Sequence, residues 1–175
     1  SEHASDVRAC GEWLANKLSS IGLTSQLHET PGHPVVVAQN EHKDGQLNVL
    51  IYGHYDVQPV DPLELWDNPP FEPTIKELAD GSKELTGRGT SDDKGQLLTF
   101  VEACRAWRAV TGKLPLNASI IFEGEEETGS PSLDDFLAAH KDELKADLAL
   151  VCDTSMWDKD TPAITVRLRG MMKEN

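Results

Sequence analysis

Apolar positions along the chain fall into two patterns. Val7, Cys10, Leu14, Leu18 and Ile21 recur every three or four residues, which lays one stripe along a helix, and Gly22 follows as a stop signal. A second stripe runs through Leu97, Val101 and Cys104, and a third through Leu133, Phe136, Leu137, His140 and Leu144, with Ser130-Pro131 as its helix start and His140 as a structural member. Between these stripes lie short continuous apolar runs at 48–52 (NVLIY), 118–122 (ASIIF) and 147–152 (DLALVC). The first reads as a buried strand, and the other two as strands that emerge into loops at their carboxyl ends. Shorter strands are expected at 35–38 and 163–168, and a hairpin of 74–78 with 83–86 turning at Asp80-Gly81. The proline-rich stretch 66–73 reads as a surface loop. Buried strands alternating with amphipathic helices predict an α/β fold, a three-layer sandwich whose mostly parallel sheet carries helices on both faces.

Each long apolar run ends in residues able to bind a metal. Residues 118–122 lead into Gly124-Glu125-Glu126-Glu127-Thr128-Gly129-Ser130, where one of Glu126 and Glu127 can hold a metal while the other handles a proton. By itself such an acidic cluster reads as a solvated loop. Residues 48–52 lead into Gly53-His54-Tyr55-Asp56-Val57-Gln58-Pro59, a spacing in which His54 ligates through one ring nitrogen while Asp56 fixes its tautomer. The third run delivers Asp153, with a helix or turn cap as the alternative role. Between them, Gly87-Arg88-Gly89-Thr90-Ser91-Asp92-Asp93-Lys94-Gly95 precedes a helix. It lacks the phosphate-loop spacing, and two aspartates would repel a phosphate, so the pair suits a divalent cation or caps the helix. One His with several carboxylates and no paired cysteines favours zinc (Zn2+), with Mn2+ or Co2+ as alternatives.

Composition narrows the partners. The chain has 175 residues and 38% hydrophobic content, enough for one domain with a core. With 30 Asp and Glu against 16 Lys and Arg, its net charge of −14 disfavours nucleic acid and anionic membrane as partners. Cys10, Cys104 and Cys152 are odd in number and set in apolar patterns, which points to buried thiols in a reducing, cytoplasmic setting. No run approaches the roughly 20 apolar residues of a membrane-spanning helix.

The segments GHYDVQP, GRGTSDDKG and GEEETGS, in that order, resemble the zinc aminopeptidase-like family that contains carnosinase-type dipeptidases, acetylornithine and succinyl-diaminopimelate deacylases, aminoacylase and carboxypeptidase G. Asp-Val-Gln-Pro after His54 and the Asp92-Asp93-Lys94-Gly95 form are most similar to the dipeptidase branch. The resemblance implies two zinc ions: His54 and Asp153 on one, Glu127 on the other, Asp92 bridging both. It also implies Asp56 as the orienting partner of His54, Glu126 as general base, and a cis peptide between Asp92 and Asp93. Small peptides or N-acyl amino acids are the implied substrates, with deacylation as the alternative activity and metal binding without catalysis as an alternative of another class. Members of that family carry a further zinc-binding His and a lid domain that makes dimer contacts. Residues 1–175 are therefore expected to be the N-terminal portion of a longer catalytic domain, inactive alone, whose intact form is a homodimer.

Overall fold

A computed structural model describes residues 3–168 and 170. The elements run α1 (Ala4–Ser20), β1 (Thr24–His28), β2 (Val35–Gln39), β3 (Asn48–His54), β4 (Thr74–Glu77), β5 (Lys83–Thr86), α2 (Lys94–Thr111), β6 (Asn117–Glu123), α3 (Leu133–His140) and β7 (Leu148–Val151). Five strands form the main sheet in the order β1-β2-β6-β3-β7, and β4 pairs with β5 in a separate hairpin. The sheet is mixed. Strand β3 runs parallel to both β6 and β7, with Ile51 opposite Ile120 and Leu150, while β2 is antiparallel to β6 and to β1.

Helices cover both faces, as the alternation of patterns predicts. Leu14 and Leu18 of α1 and Leu97, Val101 and Cys104 of α2 pack with Val36, Ala38, Val49, Ile51, Ile120 and Phe122 on one side. Phe136 of α3 and Leu144 pack with Val35, Val37 and Ile121 on the other. Every residue of β6 is buried, which is why its sequence is a continuous apolar run rather than an alternation.

One strand lies outside the expectations, and three expectations about secondary structure need correction. Strand β1 (TSQLH) has little apolar signal because it is an edge strand, and it exists through its ladder with β2. Ser130 does not start the third helix: its φ is 51° and its hydroxyl donates to Glu123, so the helix begins at Leu133 with Ser132 at the cap position. That helix stops at His140, and buried Leu144 follows it in a turn. Residues 163–168 form no strand, since no main-sheet strand pairs with them and Ile164, Val166 and Leu168 are exposed. The three cysteines are free, but only Cys104 is buried as expected, Cys10 and Cys152 being half-buried, and no helix among the described residues is long and apolar enough to cross a membrane.

Candidate metal centre

Parallel β3 and β6 end side by side, with His54 opposite Glu123, so the segments after both strands emerge at the same sheet edge. The chain after β3 is held by packing. Tyr55 is 2% exposed and its hydroxyl donates to the Pro34 carbonyl. A Cβ on Gly124 would come within 2.8 Å of the Tyr55 ring, so the start of the acidic loop presses against that ring. With Tyr55 turned into the core, both His54 and Asp56 face the opposite way and meet each other.

His54 is fully buried. Its Nδ1 lies 3.2 Å from the Asp56 carboxylate and 3.2 Å from the Asp56 carbonyl, which leaves Nε2 facing outward. There Nε2 meets Asp92 at 3.0 Å, Asp153 at 3.7 Å and Glu126 at 3.9 Å. One nitrogen of His54 and one oxygen each of Asp92 and Asp153 lie within 4.8 Å of one another. A nitrogen and two carboxylate oxygens, with the ring's second nitrogen held by a carboxylate, make a donor set that fits zinc.

Asp56 also ties two segments together. Its two carboxylate oxygens accept the backbone N–H groups of Glu126 at 3.2 Å and Glu127 at 3.0 Å, so the carboxylate that orients His54 also anchors the acidic loop. Glu126 thereby lies beside the trio. Glu127 is outside it, its carboxylate accepting a 2.6 Å hydrogen bond from Gln58.

On the other side, Asp92 and Asp93 are joined by a cis peptide, and their side chains go separate ways. Asp92 is exposed beside His54, whereas Asp93 is fully buried and accepts the His54 backbone N–H at 3.0 Å. A Cβ on Gly53 would meet that Asp93 oxygen at 2.8 Å, so glycine allows the close approach.

The electrostatics follow from this crowding. Burial opposes a charged His54 ring, but Asp56, Asp93 and Glu126 outweigh it and push the pKa up to about 9. Burial raises Asp93 to about 6. Burial also raises Glu126; His54 opposes the shift, and Glu127, Asp153 and Asp56 add to it. A carboxyl lifted above its ordinary range is suited to taking and returning a proton near neutrality.

Two side chains were not singled out from sequence. Glu123, the last residue of β6, is buried and accepts from the Tyr52 hydroxyl at 2.6 Å and the Ser130 hydroxyl at 2.8 Å, joining β3, β6 and the acidic loop. Its signal was a carboxylate continuing an apolar run without a break. Asp93 had been grouped with Asp92 as a ligand or cap, and its role as a buried backbone acceptor carried no sequence signal.

A mixed sheet with helices on both faces is here the framework of a known class of proteins. The model of peptidase family M20/M25/M40 matches residues 50–167, and the chain belongs to that family. It is 34% identical over 145 residues to the Cys-Gly metallodipeptidase dug1 of Schizosaccharomyces pombe, covering 82% of this chain and 30% of that one. The structure of an M20 family metallo-carboxypeptidase, Sso-CP2 from Sulfolobus solfataricus, superposes with a TM-score of 0.75 at 35% identity, covering 83% of this chain and 32% of that one. Human carnosine dipeptidase 1 superposes with a TM-score of 0.77 at 29% identity, covering 87% and 34%. The chain thus spans about a third of the length of these relatives.

Proposed function

We propose that residues 1–175 are the N-terminal portion of the catalytic domain of a zinc-dependent peptidase that hydrolyses a dipeptide or similar short peptide. The observation that carries this reading is the convergence of His54, Asp92 and Asp153, with Asp56 behind the ring and Glu126 3.9 Å in front of it. His54 and Asp153 would hold one zinc, Glu127 a second, and Asp92 both. Bound zinc supplies Lewis acidity, which polarises a carbonyl and acidifies water.

The remaining work falls to the chain's own groups. Asp56 keeps the proton of His54 on Nδ1, so that Nε2 offers its lone pair outward. Glu126 takes a proton from the attacking water and returns it to the leaving amine, a role supported by its raised pKa and its open position. The backbone bonds from Glu126 and Glu127 to Asp56 fix that base relative to the ring. The three free cysteines support a reducing compartment such as the cytoplasm. Dimerisation through a lid domain of the intact protein belongs to the same reading.

The test is Glu126→Gln in the intact protein. Turnover of a dipeptide should fall by about a hundredfold or more, at least the lower end of what a positioned base contributes, while zinc titrated by calorimetry binds as in the parent. Turnover that survives the change refutes the assignment of the base. His54→Ala should remove zinc binding, and retained stoichiometric binding would refute the ligand set.

A further inference from the structure

A groove of about 510 Å³ opens on the α3 side of the sheet, between residues 29–32 and the start of α3. Among the described residues, its lining contains no lysine or arginine. It does contain Glu125, the first glutamate of the acidic loop and the one for which the reading of the metal centre has no use. Glu125 is 8% exposed, and no hydrogen bond or ion pair reaches its carboxylate. Most of the residue is covered, and the little exposure it keeps is its only polar contact, because no group among the described residues pairs with the carboxylate.

The carboxylate points into the groove. Its Oε1 occupies the place that a side chain on Gly32 would take, 1.6 Å from where that Cβ would stand, and Gly32 forms part of the groove wall. The other carboxylates around the space differ in state. Glu29 at one edge is already neutralised by Arg8, with bonds of 2.6 and 3.0 Å, whereas Asp135 on α3 is exposed and has no partner. Apolar surface supplies the rest: Pro31 and Pro131 flank the opening, and the Phe136 ring forms a wall with His140 stacked on it at 4.2 Å. Anionic groups over an aromatic and proline lining suit a positive charge on a short apolar stem.

We propose that this groove binds a small organic cation, a guanidinium or alkylammonium on an aliphatic stem, with Glu125 as its counter-ion and Asp135 as a second acceptor. The cation pairs with a largely covered carboxylate that no described residue neutralises, and its stem lies against Phe136 and the prolines. The site goes beyond the peptidase reading, because its ligand atoms are separate from the His54, Asp92 and Asp153 trio.

Calorimetric titration with n-butylguanidinium, and with the uncharged n-butylurea as its isostere, tests this. Binding of the cation and not of the urea is expected, weakened about tenfold or more by Glu125→Gln, on the scale of a lost charge-assisted hydrogen bond. Gly32→Ala, whose new methyl group displaces the carboxylate, should weaken binding as well. Asp92→Ala should leave it unchanged, which separates this site from the metal ligands. N-acetylarginine amide, run beside butylguanidinium, distinguishes a peptide-borne side chain from a free cation by which binds more tightly. Equal binding of cation and urea, no binding of either cation, or loss in Asp92→Ala with retention in Glu125→Gln would overturn the proposal. Circular dichroism melting of each variant separates loss of the site from loss of the fold.

Discussion

The two sides of the metal trio are built differently. His54 is fully buried, ends a strand paired on both sides, and is fixed by Tyr55, Asp56 and Asp93 through core packing, a ring contact and a backbone bond. Asp153 follows β7, the edge strand, where Leu148 and Val151 are about half exposed, and its own side chain is 35% exposed with no backbone anchor. One proposed ligand is therefore held ready by the fold, while the other depends on an edge with few contacts. Side-chain order at a metal site comes from the shell behind the ligands, and here that shell is complete on the β3 side only.

The contrast is broken or sharpened first by truncating the packing on each side. Tyr55→Ala removes a buried ring against Gly124 and a hydrogen bond to Pro34, and should cost about 3–5 kcal/mol in a denaturant titration. Val151→Ala on the edge strand should cost less than about 1 kcal/mol. Equal costs would mean that β7 is as well anchored as β3.

A smaller effect is expected from the shell itself. Asp56→Asn keeps the shape but loses the charge that holds His54 Nδ1, and zinc affinity measured by competition with a chelating dye should fall about 10–100-fold. If affinity is unchanged, the ring is held by burial alone.

The smallest effect is the pH dependence of the zinc-free chain. His54 has a folded pKa of about 9 against an ordinary value of 6.5. The folded state holds its proton more tightly, so this contribution is fully present below pH 6.5 and is lost as the pH rises through 9. Melting temperatures in the presence of a chelator, compared between the parent and His54→Gln, should show an advantage for the parent at pH 6 that shrinks by pH 9.5. An advantage that grows instead over this range would contradict the raised pKa.

What could be foreseen from sequence depended on how local its cause was. Strands β3 and β6 were legible because burial inside the sheet requires continuous apolar runs, β7 because its run is short and apolar even though the strand is a largely exposed edge, and the helices because one buried face requires a stripe. Strand β1 was not, because an edge strand with one apolar residue is formed by its partner rather than by its own composition. Ser130 looked like a helix start by its proline neighbour, and the nearby Glu123 carboxylate claimed its hydroxyl instead.

The same division runs through the site. His54, Asp92 and Asp153 were recognisable because each follows an apolar run or precedes a helical stripe, and residue type with position in the element was enough to nominate them. Distances between them were not in the sequence. Asp56 reaches the backbone of Glu126 across 70 residues, Asp93 turns inward to cap the end of β3, and Glu125 is buried without a partner beside Gly32. Burial patterns and ligand chemistry are local properties that a chain carries in its own order of residues. Which carboxylate faces a ring, a backbone amide or an empty groove is decided only when parallel strands bring distant segments to one edge, because hydrogen bonding and desolvation act over a few ångströms of space, however far apart the residues lie in the chain.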